Sequence, residues 1–232
     1  MLSIITINKN DEIGMQRTIA SLRQVQPREF QWVCIDSNST DRSMEFANQF
    51  KASGDIIISE ADTGIDNAMN KGVQLAIGSQ ILFLNSGDCL AQGINTIKAF
   101  ALNPSVDLIL FGFQIRKQVR MPRGNAWRFW SMPTSHQAII YTRALLINEP
   151  FNEQYRFAAD FEHYLRINRQ PITIRREFRS LIINEPYGSD QHLPQLLNEY
   201  RSALIANGCP HYWGDLVFWL KTHYLKWALR KS

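Results

Sequence analysis

The chain lacks most of the short signatures that mark familiar catalytic folds. No GxGxxG follows its first apolar run and no GxxxxGK[ST] occurs anywhere. That argues against a dinucleotide dehydrogenase and a P-loop kinase, both of which need glycines at those spacings to bring the backbone onto phosphate. GxSxG is missing, against an α/β-hydrolase, and so is HExxH, against a zinc protease. Cysteine is scarce: Cys34, Cys89 and Cys209 are far apart, odd in number and without a CxxC pair. Neither a zinc cage nor a redox pair is expected from them. Cys34 lies in an apolar run and reads as a small packed hydrophobe, and a reducing compartment suits the set. No stretch approaches the roughly 18 apolar residues of a membrane span. No charged leader precedes the first apolar run, so a secretory signal is not expected, and no repeat or low-complexity tract is visible.

What remains is the composition of a globular protein. Of 232 residues, 45% are apolar and 20% charged, enough for a proper core; the length suits one domain with an extension. The 25 basic and 21 acidic residues leave a net charge of +4. Mild positive charge favours phosphates, nucleotides, nucleic acid or an acidic membrane surface without choosing among them.

Strand and helix signals alternate through the first half. Residues 2–7 (LSIITI), 32–36 (WVCID), 55–59 (DIIIS), 80–85 (QILFLN) and 107–113 (DLILFGF) read as strands. Helices are expected at 12–25, 41–51 and 92–102, with another opened by Thr63-Gly64 and ending near Gly78. Such alternation predicts an α/β fold with a mainly parallel central sheet flanked by helices, and ligands bind beyond the carboxyl ends of its strands. Three of those ends are polar and acidic: Asn8 to Asp11, Asp36 to Asp41, and Asn85 to Asp88. The second half is less regular. Residues 116–136 read as a loop or short helix gathering Arg116, Lys117, Arg120, Arg123 and Arg128 around Trp127 and Trp130. Strands are expected at 137–141, 171–174 and 180–184, helices at 159–168 and 191–206, and a final helical segment past Gly208-Cys209-Pro210.

One Asp or Asn at a strand end is an ordinary turn or cap residue; three successive acidic ends exceed turn chemistry. Asp36 could accept a hydrogen bond from the imide N–H of uracil or the edge of guanine. Asp88 suits a divalent cation holding a diphosphate, because hard cations prefer oxygen ligands.

Taken together, LSIITINKN, WVCIDSNSTD and SEADTGIDNAMNKGVQLAIGSQILFLNSGD resemble the nucleotide-sugar-binding half of family-2 glycosyltransferases with the GT-A fold. Within that family they are most similar to the bacterial polysaccharide subgroup that includes the colanic acid biosynthesis glycosyltransferases. The likeness is strong over 2–88 and weaker over 133–190, where PTSHQAIIY and AADFE recur in the expected order. It implies a GT-A type, Rossmann-like domain at 1–207, with a nucleotide-sugar-binding half (1–113) and an acceptor half (114–207). A C-terminal amphipathic helical extension would occupy 208–232.

The resemblance also implies roles. Thr6, Ile7 and Asn8 would line the nucleotide and Asp36 would read its base. Asp62, Asp66 and Asn70 would lie beside nucleotide or sugar, Asp66 and Asn70 sharing a helix face at i, i+4. Asn85, Ser86, Gly87 and Asp88 stand where the family carries its metal-binding Asp-x-Asp. Asp88 would then hold Mn²⁺ or Mg²⁺ while Asn85 reaches a ribose hydroxyl. Asp160, in Ala159-Asp160-Phe161-Glu162, matches the catalytic base, although spacing alone would make it a helix N-cap. His136 and Gln137 would meet the diphosphate or acceptor; a lone histidine before a strand is as readily a packing residue. Arg120, Arg123 and Arg128 would meet diphosphates, or form a solvated surface.

The implied function is inverting, metal-dependent transfer of one hexose from a nucleoside-diphosphate sugar, UDP favoured slightly over GDP. The acceptor would be a polyprenyl-diphosphate-linked or other glycan in bacterial surface polysaccharide assembly. The processive signature QxxRW is absent, so one sugar per encounter is expected. A catalytically lapsed sugar-nucleotide- or glycan-binding module is the alternative, kept open by Asn85. A nucleotidyltransferase would need a Gly-rich basic loop after Ile7, which is missing, and nucleic acid has only the mild charge behind it. In the last segment Trp213, Leu216, Val217, Leu220, Tyr224, Trp227 and Ala228 recur at helical spacing beside Lys221, Lys226, Arg230 and Lys231. Residues 211–232 therefore read as a peripheral membrane contact, packing on the domain or on a second copy being the alternative. The expected location is the cytoplasm, at the inner face of the cytoplasmic membrane.

Overall fold

The computed structural model describes residues 1–91, 105–185 and 192–229, with side chains to Tyr224. Its first half runs β1 (Leu2–Asn8), α1 (Glu12–Arg23), β2 (Phe30–Asp36), α2 (Ser43–Phe50), β3 (Ile56–Ser59), α3 (Ile65–Leu75), β4 (Gln80–Phe83) and β5 (Cys89–Leu90). The second half continues with β6 (Leu108–Ile115), β7 (Gln118–Arg120), β8 (Ile139–Thr142), α4 (Arg143–Asn148), α5 (Ala159–Ile167), β9 (Ile174–Asn184), α6 (Leu193–Ala206) and α7 (His211–Leu229). The expected helix at 92–102 and most of the 185–190 linker fall outside the described residues.

Among the described residues one nine-stranded sheet has the order β3-β2-β1-β4-β8-β6-β9-β5, with β7 paired to β6. The first four strands are all parallel. Beyond β4 the pairing turns antiparallel to β8 and from β8 to β6, and β6 and β9 form a further parallel pair. The long apolar runs follow from burial on both faces. Along β1, Leu2 and Ile4 point into a core with Met15, Ile19 and Leu22 of α1 and Phe50 of α2. Ile5 and Ile7 point the other way, against Ala68, Met69 and Val73 of α3. β2 divides in the same manner, Trp32 and Cys34 to one side and Val33 and Ile35 to the other.

Strand order reverses between β1 and β4, and that is where an open α/β sheet forms its ligand crevice. The parallel ladder carries past β4: Leu84 N donates to Ile5 O (2.8 Å) and Ser86 N to Ile7 O (3.0 Å). The polar turn after β4 is thereby held level with Asn8.

Three sequence expectations change: within 116–136, expected as a loop or short helix, lie the strand β7 and a 3-10 turn at Asn125–Phe129. Of the strand expected at 171–174 only Ile174 is in one, as the first residue of β9 (Ile174–Asn184), which runs through a charged middle into the strand expected at 180–184. Its pairing with β6 slips around Gly112, where Phe111 faces Glu177 and Gly112 faces Ser180. Residues 178 and 179 are thus left in a bulge, which tolerates their size and charge. The strand expected at 137–141 begins two residues later, after a 3-10 turn at His136–Ala138. The C-terminal helix packs on α6 and α5 through Val217, in a cluster with Phe161, Leu165 and Leu204. Its other face, with Trp213, Leu216, Trp219 and Leu220, is exposed. No helix among the described residues is long and apolar enough to cross a membrane.

Helix α3 comes close to the sheet at Gly72, where an added Cβ would lie 2.5 Å from Ile5 Cγ2. Ile5 is fully buried and cannot yield. Gly72→Ala is expected to cost roughly 1–3 kcal/mol of stability by overpacking, measured as a lower urea midpoint; an unchanged midpoint would mean that α3 does not seat on β1 this closely.

Candidate active site

At the β1/β4 crevice the turn Asn85-Ser86-Gly87-Asp88 is pinned from outside the sheet by Thr18 of α1. Its hydroxyl donates to Asp88 O (2.8 Å) and accepts from Gly87 N (3.1 Å). Gly87 has φ +93°, a conformation open to glycine at little cost, so the chain can double back into β5 and leave Asp88 facing inward. Ser86 Oγ donates to Asp11 O (3.3 Å). Asp88 is only 4% exposed. Its Oδ1 accepts from Glu185 N (2.8 Å) and from Asn184 Nδ2 (3.1 Å). Burial raises its pKa to about 6 against the lowering effect of those two donors. Asn184 Nδ2 also donates to Gln137 Oε1 (3.2 Å), so Gln137, Asn184 and Asp88 form one chain. Two carboxamide oxygens here, Asn85 Oδ1 and Asn184 Oδ1, are buried without a hydrogen-bond partner. No three His, Cys, Asp or Glu side chains converge as a metal cage among the described residues.

Beside this turn, Asn8 Nδ2 donates to Asp36 Oδ1 (2.7 Å) across the β1/β2 pair. Asp36 also accepts from Ser39 Oγ (2.6 Å), Ser39 N (2.9 Å) and Ser59 Oγ (2.6 Å). Burial pushes its carboxyl up, but these donors outweigh burial and hold its pKa below the ordinary value. Four hydrogen bonds match the full lone-pair capacity of a carboxylate; Asp36 orders the 37–39 loop, and a base contact through it requires one serine to turn away. Thr6 and Ile7 contribute backbone only. The Thr6 hydroxyl accepts from Trp32 Nε1 (2.9 Å) and Ile7 is in the core.

Two further acids lie on α3 and α5. Asp66 and Asp160 occupy the first turns of these helices. Burial first, then the charge of Asp160, and after it Glu153 and Glu199, raise the Asp66 pKa to about 8. Burial raises Asp160 to about 6 although Phe161 N donates to its Oδ1 at 2.7 Å. Partly buried carboxyls of this kind are better proton acceptors than exposed ones. The other α3 candidates are occupied elsewhere. Asp62 accepts from Gly64 N (3.1 Å) at the start of α3, and Asn70 clamps Phe151 through its O and N (3.0 and 2.9 Å). His136 is buried, with Nδ1 3.1 Å from the Tyr141 hydroxyl and its ring 4.9 Å from that of Phe83. Burial lowers its pKa to about 4; its ring packs with Phe83, Tyr141 and Phe151, and its Nε2 is buried without a hydrogen-bond partner.

Three residues carry no sequence signal yet shape the site: Thr18, Asn184 and Glu199. The Glu199 carboxylate, reaching from α6, accepts from Arg156 N (3.1 Å), Phe157 N (2.7 Å) and Ala158 N (2.9 Å). Those are the residues that lead into α5, so Glu199 sets the position of Asp160. Only tertiary contact could reveal it, since it lies 39 residues along the chain from Asp160.

The family model for glycosyl transferase family 2 matches residues 3–164. A PGL/p-HBAD biosynthesis glycosyltransferase of Mycobacterium tuberculosis is 30% identical over 186 residues, 76% of this chain and 73% of that protein. Among solved structures, S. aureus TarS in complex with UDP-GlcNAc superposes with a TM-score of 0.66 at 15% identity, over 94% of this chain and 70% of that one. The mannosyltransferase PcManGT from Pyrobaculum calidifontis, in complex with GDP-Man and Mn²⁺, gives 0.68 at 15% identity, over 100% and 75%. At such identities the structural likeness speaks for the fold, and it bears out the GT-A type sheet expected from the sequence.

Removing the Glu199 carboxylate in Glu199→Ala would leave three amides unpaired and cost roughly 1–3 kcal/mol, with Glu199→Gln milder; urea titration checks the order. The Asp66 shift has a definite sign. Because its folded pKa exceeds the unfolded value, its stabilisation is complete below pH about 4 and is lost as pH rises towards about 8. Asp66→Asn is therefore expected to melt a few degrees above the parent at neutral pH, with the difference vanishing near pH 4 in thermal melts.

Proposed function

The chain belongs to glycosyl transferase family 2, and on that premise we propose that it transfers one sugar, with inversion, from a nucleoside-diphosphate sugar to a hydroxyl of a glycan or lipid-linked acceptor in surface polysaccharide assembly. The observation that carries this reading is the pair of desolvated, interacting acids Asp66 and Asp160. Burying carboxyls costs folding stability, and a module that only bound a sugar nucleotide would have no use for both, in the first turns of α3 and α5.

In this reading the diphosphate lies over the β1/β4 crevice, beside Asn85, Ser86 and Asp88. The base lies towards Asn8 and the loop ordered by Asp36. Asp160 takes the proton of the acceptor hydroxyl as that oxygen bonds to the anomeric carbon, on the face opposite the departing diphosphate, which leaves with the bonding electron pair. Burial keeps Asp160 basic, and Glu199 holds the segment that leads into its helix. A divalent cation fits the donor set: one carboxylate, Asp88, and the unpartnered Asn85 Oδ1 and Asn184 Oδ1, all hard oxygens, with the diphosphate supplying the rest. When bound, Mn²⁺ or Mg²⁺ would neutralise charge on the leaving group. The similar structures hold a uridine nucleotide in one case and a guanosine nucleotide with Mn²⁺ in the other; UDP is favoured slightly here. A polyprenyl-linked acceptor would place the reaction at the inner face of the cytoplasmic membrane.

Calorimetry with UDP and GDP in the presence of Mn²⁺ tests the donor site: Asp88→Ala is expected to weaken binding at least about tenfold, a loss of about 1.4 kcal/mol. Asp160→Asn is expected to keep donor binding and lose transfer by about a hundredfold or more. Turnover unchanged in Asp160→Asn would remove it from the base role.

A further inference from the structure

We propose that the β6–β7 hairpin, the loop after it and the bulge of β9 form a docking surface for a bilayer that carries anionic phospholipid. Four large apolar side chains are exposed there: Phe178 (63%), Val119 (53%), Trp127 (44%) and Met121 (43%). They belong to one surface. At Gly112 in the middle of β6 an added Cβ would lie 2.9 Å from Met121 Sδ and 3.2 Å from Arg179 O, so the end of the hairpin and the β9 bulge converge over that glycine. The Arg176 guanidinium lies 5.7 Å from the Phe178 ring, and its Nη1 comes within 3.4 Å of where Gly124 would carry a Cβ. Arg123 stacks on Trp127 at 4.3 Å.

Among the described residues the exposed charge on this surface is mainly positive. Arg116, Lys117, Arg120, Arg123 and Arg176 are exposed on it. The acid on the same strand, Glu177, is turned to Arg175 at 2.5 Å. Apolar groups ringed by cations, with guanidinium groups stacked on aromatic rings, suit the boundary between acyl chains and anionic headgroups. A second copy of the chain fits poorly, because a self-complementary interface would set these arginines against their own kind. Nucleic acid would leave Val119 and Met121 without a stacking partner. The surface continues into the C-terminal helix: Trp130 N bonds to Trp127 O, and Lys221 of α7 lies 5.7 Å from the Trp130 ring.

Cosedimentation of the full chain with vesicles of phosphatidylcholine, with and without phosphatidylglycerol, tests this. Binding is expected only with phosphatidylglycerol and is expected to weaken as salt is added. Lys117→Glu with Arg176→Glu should lower vesicle binding by about tenfold or more. Val119→Ser with Phe178→Ser should lower it while leaving its salt dependence in place. All four positions are exposed, and an unchanged thermal melt of each variant checks that folding is kept. Equal binding to neutral vesicles, no binding at all, or loss only in Trp219→Ser with Leu220→Ser on the helix would each overturn the proposal. So would self-association in light scattering that the hairpin variants abolish. Nucleotide binding measured on the same variants is a separate readout, so failure here and failure of the sugar-transfer reading are distinguishable.

Discussion

The site depends on the way β1 is shared. It is paired in parallel with β2 on one side and with β4 on the other, and its ladder runs beyond β4 to Leu84 and Ser86. Because both faces of these strands are covered by helices, their backbone and side chains have no access to water until the strands end. All the polar ends therefore collect at one edge, and the reversal of strand order between β1 and β4 opens a crevice at that edge. The hydrogen bond from Asn8 to Asp36 and the grip of Thr18 on the 85–88 turn turn this edge into a surface of fixed shape.

On that surface the acids are treated unequally. Asp36 is satisfied by four donors and stays ionised, an ordering group. Asp88 has two donors and a raised pKa, burial raises Asp160 to a like extent, and burial with the neighbouring acid raises Asp66 further. Satisfied acids hold loops; under-satisfied ones keep free energy in reserve that a cation or a transferable proton can release. The same contrast separates His136, neutral among aromatic rings, from these acids.

Much of this was legible beforehand. The apolar runs of β1, β2 and β4 are long, β-branched and bounded by polar turns, so their existence, direction and polar ends follow from burial on two faces. The motif order around FLNSGD and AADFE was specific enough to indicate the family. Other elements were not legible for identifiable reasons. β9 carries Arg175, Arg176, Glu177 and Arg179 in its middle, because a bulge and an exposed face relax the alternation that marks a strand. β5 and β7 are too short to leave a pattern, and His136 looks the same in sequence whether it faces ligand or core.

The amino-acid sequence by itself determined the alternating elements of the first half, which strand ends are acidic, and which family the chain resembles, since these depend on local periodicity and on residues close together in the chain. Which acids are saturated and which are poised was decided only in three dimensions. Asp36 meets Ser59, Asp88 meets Asn184, and Asp66 meets Asp160 across tens of residues. Desolvation and hydrogen bonding, the two forces that set a carboxyl's proton affinity, both depend on neighbours that only folding supplies.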